Sequence, residues 1–131
     1  MPHVRVEVQI HPTESPAKVE AALRNLFPDL AIEHGVDRLV GTASRLERLR
    51  ELIRNQKIRD TARGQLMAGR RGNRTVVRLN KQAAHSGVVN FAIGSPLGDV
   101  VVEIEDPDLI AVIDYVAEST VEPKSGRPTA S

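Results

Sequence analysis

The sequence predicts an α+β fold, with a mainly antiparallel sheet covered by helices on one face. Two patterns carry that expectation. Val4, Val6, Val8 and Ile10 alternate with Arg5, Glu7 and Gln9, which is the period of a strand with one wet face, and such strands belong to antiparallel or mixed sheets covered on one side. Leu46, Leu49, Leu52 and Ile53 recur at helical spacing, so at least one helix has a single apolar stripe to bury. The order strand, helix, strand, strand, helix, strand would equally allow a ferredoxin-like core.

Each element has local reasons. After the first strand, Ser15 and Pro16 suit the N-cap and first position of a helix. Val19, Ala22, Leu23 and Leu26 line its inner face until Pro28 stops it. Short strands are expected near Leu30 to Glu33 and Arg38 to Thr42, joined at Gly35. Ser44 with Glu47 reads as a capping box for the next helix. At Asn55 to Lys57 the phase resets, and a second stripe, Ile58, Ala62 and Leu66, runs to Gly69 as C-terminal cap. A turn at Gly72 and Asn73 leads to a strand from Thr75 to Leu79, a short helical or looped piece from Lys81 to His85, and a strand near Val88 to Phe91. Beyond a turn at Gly94 to Gly98, Val100 to Ile104 forms the last strand. Asp106 and Pro107 open a helix with Leu109, Ile110, Ile113 and Val116 inward.

The chain of 131 residues is one domain's worth, 1–119, with a flexible, unperiodic Pro/Ser/Gly/Thr tail at 120–131. Absence of Cys excludes thiol catalysis and thiolate zinc sites. The longest apolar run, Leu109 to Ile113, is far too short to span a bilayer. With no basic-then-apolar leader after Met1, a cytoplasmic location is expected.

A net charge of +1 hides segregation. Between Arg45 and Lys81 stand twelve basic residues and three acids, whereas Gln82 to Pro123 holds eight acids and no Lys or Arg. Such asymmetry points to polyanion binding. Arg59 and Arg63, four apart, share a helix face, which Arg70 would extend if the helix lasted. Arg70, Arg71 and Arg74 flank the Gly72 turn, where guanidinium forks and backbone amides suit phosphate. Arg78 and Lys81 continue the track if the outer strand face is wet. A competing reading is an ordinary solvated helix face, with Glu47–Arg50 and Glu51–Arg54 paired and the acidic half neutralising the basic one. Phe27, Phe91 and Tyr115 are the only aromatics, too few for a base-stacking sheet, which leaves shape recognition of structured RNA through phosphates and 2′-hydroxyls.

Enzymatic and metal readings are weaker. Asn80, Lys81, Gln82 and His85 form the densest polar cluster, where a site near Asn80, Lys81 and His85 would lie, yet no carboxylate or nucleophile stands at a fixed spacing to complete a catalytic set. His3, His11, His34 and His85 are isolated, so no metal site is expected. No cofactor motif is present, since Gly69 to Thr75 lacks the ending of a phosphate-binding P-loop. Among Glu103, Glu105, Asp106 and Asp108, the two Asp residues suit a helix N-terminus.

A longer pattern adds to these readings. Gly72-Asn73-Arg74-Thr75, the run Leu79 to Phe91, Ile58 to Arg63, Pro12-Thr13-Glu14 and Asn25 to Pro28 together resemble an archaeal family of uncharacterised proteins, with Arg78 and His85 as departures. The resemblance implies an α+β domain similar to the large-subunit ribosomal protein that contacts 5S ribosomal RNA, a homodimer, and RNA binding. The leading expectation is non-catalytic binding of structured RNA through Arg59, Arg63, Arg70, Arg71, Arg74, Arg78 and Lys81. The alternative is a homodimeric structural or adaptor protein without a nucleic-acid role.

Overall fold

The computed structural model describes residues 2–91 and 98–119. Six strands, β1 (His3–Gln9), β2 (Ala31–His34), β3 (Arg38–Ala43), β4 (Arg70–Arg71), β5 (Arg74–Asn80) and β6 (Asp99–Glu105), form one sheet. Its order is β2-β3-β1-β6-β5-β4, with every neighbouring pair antiparallel. Five helices, α1 (Pro16–Leu26), α2 (Glu47–Asn55), α3 (Arg59–Ala68), α4 (Lys81–His85) and α5 (Leu109–Val116), complete the described elements. Because β3 opposes both β1 and β2, the latter two run parallel with β3 between them. By the same logic β3 and β6 run parallel around β1. These are interleaved split βαβ units, so β2, β3, β1 and β6 have the ferredoxin-like arrangement and the β4–β5 hairpin widens it beyond β6.

Alternation along the strands makes the two layers. Val4, Val6 and Val8 of β1, Leu39 of β3, Val77 and Leu79 of β5, and Val100, Val102 and Ile104 of β6 are buried against Val19, Leu23, Leu26, Leu49, Ile53, Leu66 and Ile113 of the helices. Each such side chain contributes roughly 1.5–3 kcal/mol when wholly buried. The opposite sheet face, carrying Arg5, Glu7, Arg38, Val76, Arg78, Glu103 and their neighbours, bears no helix among the described residues.

Several local expectations are met. Ser15 caps α1 with Pro16 at its start, and Gly69 caps α3. Helix α5 does not open at Asp106 and Pro107 but two residues later, because Asp106 Oδ1 accepts from the Asp108 amide at 2.8 Å in a turn and Asp108 becomes the N-cap, accepting from the Ala111 amide. Others are corrected by tertiary contacts. Helix α2 begins at Glu47 with Leu46 as an N-cap that makes no side-chain bond, so the Ser44–Glu47 box does not form. The Ser44 amide donates instead to Asp29 Oδ2 at 3.3 Å. Residues 88–91 are not a strand. The Gln56 side chain takes both backbone groups of Val89, donating to its carbonyl at 2.9 Å and accepting from its amide at 2.8 Å. The Asn80 amide takes the Asn90 carbonyl at 2.7 Å. Ile110, expected inward, is 38% exposed, because α5 buries only Leu109, Ile113 and Val116. The turn at 94–97 and the tail 120–131 lie outside the described residues.

Candidate nucleic-acid interface

The expected arginine track divides among three environments. Helix α3 ends at Ala68, so Arg70 does not extend the Arg59–Arg63 row but starts the β4–β5 hairpin. There Gly72 adopts φ +62°, the left-handed conformation a two-residue hairpin demands of glycine. Arg71 lies directly opposite Arg74. Like charges in that relation disfavour the sheet, so the hairpin tip carries a repulsion that a bound anion would relieve. Arg74 and Arg78 stand four apart on β5, on the helix-free face, with Val76 between them. Arg70, Arg71, Arg74 and Arg78 are all exposed. Arg74 pairs with Glu103 at 3.0 Å, whereas Arg70, Arg71 and Arg78 make no ion pair among the described residues.

Arg59 and Arg63 do share a face of α3, but acids hold them. Arg59 Nη1 lies 2.7 Å from Glu118 Oε1, and Arg54 reaches the same carboxylate at 3.6 Å. Arg63 binds Asp114 and also donates to the Ala117 carbonyl at 3.2 Å. These arginines fasten the end of α5 to the helix layer. Of the helix-face pairs anticipated from spacing, neither Glu47–Arg50 nor Glu51–Arg54 forms. Arg50 donates to the Tyr115 carbonyl and lies 5.1 Å from the centre of that ring, while Glu51 takes Arg48.

Lys81 departs furthest from expectation. Its side chain is wholly buried, and Nζ donates to the Gln9 carbonyl at 2.7 Å and to Glu14 Oε1 at 2.9 Å. An ammonium so enclosed cannot reach a phosphate at the surface. Burial pushes the Glu14 carboxyl up, but the His11 amide and Lys81 outweigh it, holding the group below its ordinary value. Asn80 spends its Oδ1 on the Ala83 amide at 2.9 Å, and His85 is exposed beside Thr13, Ser15 and Lys18. Asn80 and Lys81 are therefore committed to capping and anchoring α4. Asn25 reinforces the anchor by donating to the Ala84 and His85 carbonyls at 3.0 and 3.3 Å.

Sequence reasoning overlooked Gln9, Arg38 and Asp99, which share the helix-free face with Arg78. Alternation marks Gln9 as outward, but nothing local shows that β6 places Asp99 opposite Asn80 and so beside Arg78. Among the described residues no cluster of three metal-ligating side chains occurs, and no helix is long and apolar enough to cross a membrane.

Comparison with known proteins agrees with this architecture. Residues 3–105 match a family described as RNA binding. A UPF0201 protein of Thermococcus onnurineus is 43% identical, covering 95% of this chain and 96% of its own. A UPF0200/UPF0201 protein of Archaeoglobus fulgidus is 40% identical over 95% of this chain, which spans only 39% of that relative's length. The crystal structure of a UPF0201 protein from Methanococcus jannaschii has a TM-score of 0.84 at 34% identity, covering 91% of this chain and 95% of that one. A second UPF0201 crystal structure reaches 0.85 at 38% identity, covering 96% and 98%.

Proposed function

Because the chain belongs to the archaeal UPF0201 family and its family match is described as RNA binding, we propose that it binds the phosphate backbone of structured RNA without catalysis, in the cytoplasm. The observation that carries this reading is the β4–β5 edge. Four exposed arginines gather there, three of them free of ion pairs among the described residues, beside a sheet face with no helix over it. Arginine forks on a rigid hairpin suit phosphate oxygens. The contact set is Arg70, Arg71, Arg74 and Arg78. Lys81 is withdrawn from it by burial, and Arg59 and Arg63 by acids that hold less exposed side chains, 36% and 25% against 53% for Arg74, which stays in the set despite its pair with Glu103.

The test is titration with a labelled RNA hairpin and a matched single strand at several salt concentrations. The hairpin should bind more tightly, and its affinity should fall steeply with salt. Changing Arg70, Arg71 and Arg78 together to Ala should reduce the slope of log affinity against log salt by roughly 2–3. Absence of hairpin binding at low salt overturns the reading. A homodimeric adaptor is the second reading, supported by Val76, 38% exposed on the helix-free face of β5. Sedimentation that shows a dimer, together with no RNA binding, would favour it.

A further inference from the structure

Where β3, β1, β6 and β5 lie side by side, Glu7, Gln9, Arg38, Arg78, Asp99 and Val101 enclose a depression of about 470 Å³ on the helix-free face. Its polar groups are unequally committed. Arg38 binds Glu7 at 2.6 Å and approaches Asp37 at 3.5 Å, so these charges largely cancel. Arg78 makes no ion pair among the described residues. Asp99 Oδ1 is buried with no hydrogen-bond partner among them. Buried acceptors are nearly always satisfied, so this carboxylate is short of hydrogen bonds, and the side of Asp99 that lines the depression is where an occupant can donate to it. Register makes the two neighbours: Asn80 opposes Asp99 and Arg78 opposes Val101, which sets Arg78 and Asp99 diagonally on one face.

An occupant that satisfies both must bring an anion to Arg78 and a hydrogen-bond donor to Asp99. A ribose-phosphate unit of RNA has both, in its phosphate oxygens and its 2′-hydroxyl, whereas the DNA backbone has only the phosphate. Bases are not the feature read here. Phe27 is wholly buried, Phe91 packs against the core, and the Tyr115 ring lies by Arg50 in the helix layer. We propose that this depression reads a ribose-phosphate unit, Arg78 holding the phosphate and Asp99 accepting from the 2′-hydroxyl, so that the helix-free face distinguishes RNA from DNA. The inference rests on the RNA-binding reading above and adds to it a choice between nucleic acids.

The full-length protein is titrated with one hairpin sequence as RNA, as DNA and as 2′-O-methyl RNA, which cannot donate from the 2′ position. Wild type should prefer RNA over both others by about tenfold, the value of one hydrogen bond to a charged group. Asp99→Ala should abolish that preference. Losing a negative charge also raises affinity for any polyanion, but it raises all three together and leaves the ratios unaffected. Arg78→Ala should weaken all three by a similar factor. Equal wild-type affinity for RNA and 2′-O-methyl RNA overturns the inference without any variant. So does an unchanged ratio in folded Asp99→Ala, and with either result a loss in Arg78→Ala would leave the phosphate reading standing. Failure of every hairpin to bind at low salt overturns both.

Discussion

Removing the Glu14 charge would leave the Lys81 ammonium in the interior without a counter-ion, facing only neutral acceptors such as the Gln9 carbonyl. Glu14→Gln should therefore cost about 3–5 kcal/mol, the penalty of breaking a buried pair, measured by urea unfolding. The pH dependence follows from the lowered Glu14 value. A carboxyl held lower when folded contributes stability above its ordinary value of 4.5, and that contribution is lost as pH falls through the folded value. Wild type and Glu14→Gln should accordingly differ most above that value and converge in acid. The charged and titratable groups beside the carboxylate are Lys81 and His11. Gly69 sets a second condition at this scale. A Cβ there would stand 2.2 Å from the Val76 carbonyl oxygen, so Gly69→Ala must push α3 off β5 and should cost about 1–3 kcal/mol by the same measurement.

Elements are ended and joined by side chains that sequence periodicity only hints at. Helix α2 closes with the Ile58 amide donating to the Ile53 carbonyl at 3.2 Å and the Lys57 amide to that of Arg54 at 3.1 Å, a Schellman motif. Lys57 occupies its left-handed position at φ +59°, where glycine carries no steric penalty. Lys57→Gly should raise stability by about 0.5–1 kcal/mol, visible as a higher urea midpoint at constant m-value. One residue earlier, Gln56 substitutes for a neighbouring strand by pairing with both backbone groups of Val89. Gln56→Ala leaves a buried residue's amide and carbonyl without these partners. It should cost about 1–3 kcal/mol and accelerate hydrogen exchange at Val89 more than at β5.

Across the whole molecule, the charge asymmetry along the chain folds back on itself. The acidic C-terminal half meets the basic middle at Glu118 with Arg54 and Arg59, Asp114 with Arg63, and Glu103 with Arg74. These pairs are partly exposed, and each is worth about 0–1 kcal/mol. A double-mutant cycle on Arg63 and Asp114 should return a coupling of that size that weakens with salt. Changing Arg59 and Arg63 to Ala should leave the salt slope of RNA binding unaltered, while the hairpin arginines reduce it. What remains uncompensated is concentrated at one edge of the sheet.

Local patterns in the sequence were enough to determine the α+β class, the strand β1, the stripes of α1, α2 and α3, and the Gly72 turn. Those features depend on neighbours within a turn of helix or a pair of strand residues, so the chain displays them directly. Their capping and pairing partners lie far away in sequence: Asp29 for Ser44, Gln56 for Val89, Glu14 for Lys81. Spacing made Lys81 look like the end of an arginine track, but strand order carried its side chain to the β1–α1 loop and buried it. The helix-free face was likewise half legible. Alternation showed which residues point outward, whereas only sheet register decided that Arg78 and Asp99 would be neighbours, because adjacency across strands is set by pairing and not by position along the chain.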